Sequence, residues 1–88
     1  MMDLDKVKGY LRIDGNEEDD TLRMIFSAAV IFLQRAGIKE DFSDELYCLT
    51  VLLLVSHWFE NRQLIGKSDQ MPYALDSMIF QLKYKAGG

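Results

Sequence analysis

Apolar positions recur along the chain at helical spacing in four runs separated by short polar breaks. Over 3–12, Leu4, Val7 and Leu11 fall on one face, with Asp3 suited to cap the first turn. The "IDGN" that follows has turn chemistry in Asp14-Gly15. Over 17–36, Leu22, Ile25, Phe26, Ala29, Phe32, Leu33 and Ala36 make a broad core face, and Gly37 supplies a stop. A narrower stripe, Met24, Ala28 and Ile31, lies among Asp20, Arg23, Ser27, Gln34 and Arg35. A monomer has no use for it.

The third run, 43–63, is capped by Ser43 or Asp41 and closed by Gly66. Tyr47, Val51, Leu52, Leu54, Val55, Trp58 and Phe59 share one side. Leu46, Leu49 and Leu53 share the other, which turns polar through Thr50, His57, Glu60 and Asn61. A helix this apolar is central and covered from several directions. The fourth opens at Pro72, a first-turn residue, and places Leu75, Met78, Ile79 and Leu82 on one face. Tyr73, Phe80 and Tyr84 form a separate aromatic stripe, and a strand over "SMIFQLKY" is the rival reading. The pattern predicts an all-α fold, a compact bundle of about four helices in a single domain over 1–88.

Composition narrows the function. The chain has 88 residues, 49% hydrophobic and 27% charged, the balance of a folded globular protein. A net charge of −4 leaves too few cations to grip a duplex through its phosphates. The "EEDD" at 17–20 reads as carboxylates complementing the positive end of a helix. Cys48, alone and inside an apolar run, reads as a buried thiol and gives no sign of an oxidising compartment. The longest apolar stretch, 46–59, falls short of a membrane span, and "MMDLDKVKGYLRID" lacks a signal pattern. The expected location is the cytoplasm, with no membrane partner.

"HWFENRQLIG", 57–66, is the densest cluster of potential chemistry. His57, Glu60 and Asn61 share a helix face. A dinuclear carboxylate site needs Glu-x-x-His motifs on two helices, and here the order is reversed and occurs once. A zinc site needs three or four ligands, and Cys48 projects from another side. No nucleophile elbow accompanies Ser56 or Ser77. The cluster therefore predicts no enzyme, cofactor or metal, but a structural histidine hydrogen-bonding near Glu60. Trp58 and Phe59 belong to the core. Arg62 falls amid the apolar side of the third helix, so it should form an ion pair or stack on an aromatic ring.

Taken together, "VKGYLRID", "AVIFLQRAGI", "LLLVSHWFENRQLIG" and "MPYALDSMIFQLKY" strongly resemble the small head-tail connector, or head-completion adaptor, proteins of long-tailed bacteriophages and prophages. The likeness runs from Leu4 to Tyr84. Its most specific stretches are "HWFENR" and the block from Pro72 to Tyr84. The resemblance implies an all-α virion structural protein at the head-tail junction, present in the host cytoplasm before assembly. It implies a homo-oligomeric, dodecameric ring beneath the portal protein that extends the DNA channel and docks the next neck or tail component. DNA would be only a passing, non-specific occupant, and acidic walls would let it slide. Met24, Ala28 and Ile31, with Tyr73, Phe80 and Tyr84, become candidate subunit contacts, as do the leucines of the third helix. A second class, a small regulatory or antitoxin-like helical protein with one cytoplasmic partner, suits the same charge and stripes.

Overall fold

A computed structural model describes residues 4–67 and 71–87. Its helices are α1 (Leu4–Leu11), α2 (Asp19–Arg35), α3 (Glu45–Glu60) and α4 (Tyr73–Gly87), with a 3-10 turn at Arg62–Leu64. There is no strand among the described residues, so "SMIFQLKY" is helical and the fold is an all-α bundle of four helices. The cap expected at Asp3 lies outside the described residues.

α1 and α2 stop by the same backbone device. Gly37 takes φ 94°, and the Ile38 N–H donates to Leu33 O at 2.9 Å while the Gly37 N–H donates to Gln34 O. Ile38 is buried, which completes this Schellman closure with an apolar contact toward the helix it ends. After α1 the left-handed residue is Arg12, at φ 59°, and the Ile13 N–H reaches Lys8 O at 2.9 Å. A non-glycine residue there is uncommon.

Three boundaries differ from the expected ones. α2 begins at Asp19 rather than Glu17, with Glu18 as its cap residue. α3 is capped by Asp44, whose Oδ1 accepts from the Leu46 N–H at 2.9 Å, not by Ser43 or Asp41. Asp41 is engaged instead by the Ser43 N–H and hydroxyl. α3 also ends at Glu60, three residues early, because Asn61 leaves helical geometry at φ −133°. The Asn61 side-chain amide donates to His57 O at 2.9 Å and occupies that terminal carbonyl.

α3 is the central element and packs against α2, α4 and α1. Tyr47, Val51, Leu54, Val55 and Trp58 join Leu22, Ile25, Ala29 and Leu33 of α2, Leu75 and Leu82 of α4, and Val7 of α1 in one apolar cluster. Thr50 was expected where the helix turns polar. It is fully buried, its hydroxyl donating back to Leu46 O at 2.7 Å. Aromatic contacts tie the pieces: Trp58 meets Phe32 edge-on at 5.3 Å, and Phe42 stacks on Phe26 and abuts Tyr47.

Candidate functional site

The cluster at 57–62 acts as a fastening between helices. Trp58 is wholly buried, and its indole N–H has no partner among the described residues. No hydrogen bond joins His57 to Glu60, contrary to expectation: Glu60 is exposed, and His57 Nε2 is buried without a partner. Arg62 does not sit on α3 at all. Because Asn61 ends the helix, the 3-10 turn swings Arg62 outward, where its guanidinium stacks 4.9 Å from the Phe59 ring centroid and pairs with Glu18. The end of α3 is thereby tied to the start of α2.

That pairing gives the acidic opening of α2 a second use beyond the helix dipole. Glu18 holds Arg62, Asp19 holds Lys8 of α1 at 2.8 Å in a mostly buried pair, and Asp20 meets Arg23 at 3.2 Å on the surface. The three carboxylates thus point three ways: Glu18 to the turn after α3, Asp19 to α1, and Asp20 along the surface of α2 itself.

Around these ties the chemistry is sparse. Among the described residues no group of three or more His, Cys, Asp or Glu side chains could hold a metal ion. A small recess of about 200 Å³ beside His57 is lined by Leu53, Ser56, Glu60, Pro72 and Leu75, and no hydrogen bond links Ser56, His57 and Glu60 into a relay. Cys48 is half-buried, its thiol donating to Phe42 O. Tyr47 is buried with its hydroxyl unpartnered among the described residues. Burial pushes it up to about 12, helped by the charges of Glu40, Cys48 and Asp41. No described helix is long and apolar enough to cross a membrane.

The outer surface carries the stronger signal. On α2, Met24 is 74% exposed and Ile31 46%, with Ala28 half-buried between them. On α4, Tyr73 is 88% exposed, Phe80 60% and Tyr84 63%. The Phe80 and Tyr84 rings lean together at 4.5 Å. Of the α3 leucines, Leu49 is exposed while Leu46 and Leu53 are half-buried against the core. Tyr10 and Ile65 are exposed too, although the sequence pattern did not single them out. Tyr73, Phe80 and Tyr84 thus share one exposed face of α4.

A family model described as "Phage gp6-like head-tail connector protein" matches residues 1–83. No curated protein and no solved structure gives a significant match.

Proposed function

The chain belongs to the phage gp6-like head-tail connector family, and from that premise we propose that it assembles as a ring beneath the portal. There it extends the DNA channel and offers a platform to the next neck or tail component. The family match, covering residues 1–83, carries this reading. In the proposal residues 1–88 form one connector domain, α3 is its rigid centre, and the stripes on α2 and α4 are its contacts with neighbours. Met24, Ala28 and Ile31 serve one side and Tyr73, Phe80 and Tyr84 the other.

The physical support is a division of labour. Apolar side chains facing inward hold the bundle, and large apolar side chains such as Met24, Ile31, Tyr73 and Phe80 stay exposed on its outside. Burying a side chain the size of Ile31 against a neighbour contributes about 1.5–3 kcal/mol, and in a ring that contribution recurs at every interface. The net charge of −4 suits a channel wall, because a negative surface does not hold a sliding duplex. The test is co-sedimentation of the chain with portal rings from the same phage. Comigration at a fixed stoichiometry supports the reading, and failure to associate at high concentration overturns it.

A further inference from the structure

The two exposed stripes share a pitch. Met24 and Ile31 are seven residues apart on α2, and Tyr73 and Phe80 are seven apart on α4, so each pair spans about 10.5 Å along its helix. At 100° per residue, the α2 stripe lies about 140° from the buried face of its helix, and the α4 stripe about 170°. α3 packs against both helices from within, so the stripes open in different directions and do not cover each other in one chain.

Charge is complementary as well. On α4, Tyr73 and Phe80 border a shallow, open hollow of about 500 Å³ together with Asp76, Ser77, Ile79 and Lys83. On α2, Met24 projects from the surface, while Ile31 borders a recess of about 340 Å³ with Ala28, Phe32 and Arg35. Asp20 lies one turn before Met24, and Arg35 one turn after Ile31. Arg35 and Lys83 have no ion-pair partner among the described residues, and the Asp20–Arg23 pair is a weak, solvent-exposed one.

Resting on the ring reading, we infer that α2 of one copy lies antiparallel against the outer face of α4 of the next, with Met24 against Phe80 and Ile31 against Tyr73. This register sets Asp20 opposite Tyr84, beside Lys83, where opposite charges meet. It carries Arg35 past Tyr73, away from Lys83. The parallel alternative sets Ile31 on Phe80 and brings Arg35 beside Lys83, two like charges at a closely packed contact. Each copy then presents α2 on one side and α4 on the other. Such a heterologous contact propagates head to tail and closes where the rotation per copy allows.

Paired cysteines test the register directly. In a Cys48→Ser background, the variant carrying both Met24→Cys and Phe80→Cys is bound to portal rings, oxidised and run without reductant. A ladder of multimers is expected. Mixing the two single-site variants should give only dimers containing one of each. A variant carrying Ile31→Cys and Phe80→Cys reports the parallel register and should cross-link far less. Asp20→Lys should lower retention roughly fivefold, and adding Lys83→Asp should restore it. Absent Met24–Phe80 cross-links, a stronger Ile31–Phe80 product, or homodimers from either single variant would overturn the pairing. Unsubstituted chain on the same portal rings separates the two readings. If it is retained while cross-links fail, only the pairing falls. If it is not retained, the ring reading falls and takes the pairing with it.

Discussion

Replacing Trp58 with alanine removes the largest wholly buried side chain in the core. An indole of this kind withdraws roughly 200 Å² from water, and at about 25 cal/mol per Å² that is about 5 kcal/mol. The alanine methyl retains a small part of this. Loss of the edge-on contact with Phe32, at 5.3 Å, adds about 0.5–1.5 kcal/mol. Acting the other way, the indole N–H is buried without a partner among the described residues, and removing it returns about 1–3 kcal/mol. The net expectation is a loss of about 3–5 kcal/mol, in line with large-to-small aromatic substitutions in cores. For a chain of this size that lowers the melting temperature by roughly 12–40 °C. The assay is urea and thermal unfolding followed by far-ultraviolet circular dichroism, since the variant has no tryptophan to report by fluorescence. Trp58→Phe keeps part of the packing and discards the N–H, so it should lose less than half as much. A loss under about 1 kcal/mol for Trp58→Ala would refute the central place given to this side chain.

Other expectations follow from the ties and the outer surface. Arg62→Ala removes a half-exposed ion pair and a ring stack, so it should cost about 0.5–1.5 kcal/mol by urea unfolding. Glu18→Gln should cost less, because the stack on Phe59 survives. Tyr47 is neutral when protonated and its folded value is raised to about 12, so the folded chain holds that proton more tightly than the unfolded one. Its contribution is therefore intact below about pH 10 and declines as pH rises toward 12, by about 2–3 kcal/mol in all. Unfolding curves across that range should fall more steeply for the unsubstituted chain than for Tyr47→Phe, and parallel curves would contradict this. Ile31→Glu, at a 46% exposed position, should change stability by less than about 0.5 kcal/mol yet abolish association with portal rings. A folded variant that still assembles would move the interface away from α2.

The helices and their inward faces were readable because apolar spacing at three and four residues is a local signal, and the core obeys it from Leu22 through Leu82. The helix ends were less so, since each depends on which of several competent residues wins. Asp41, Ser43 and Asp44 can all cap α3, and Asp44 does so while Asp41 binds Ser43. At the other end, Leu64 and Ile65 continue the apolar rhythm and hide the stop that Asn61 imposes. That shortfall of one turn put Arg62 on the wrong element, although a pair or stack for it was expected from its chemistry. Its partner Glu18 lies 44 positions away, and no local pattern points there. The Lys8–Asp19 pair was hidden for the same reason. By contrast, the exposure of Met24, Ile31, Tyr73 and Phe80 was legible, because each breaks the periodicity of its own helix.

The most direct measurement is electron microscopy of the chain incubated with portal rings from the same phage, viewed along and across the portal axis. The account predicts a second ring, coaxial with the portal and on its tail-facing side, with copies in register around a continuous central channel. Portal rings left bare, or the chain bound at scattered sites without a closed ring, would contradict it.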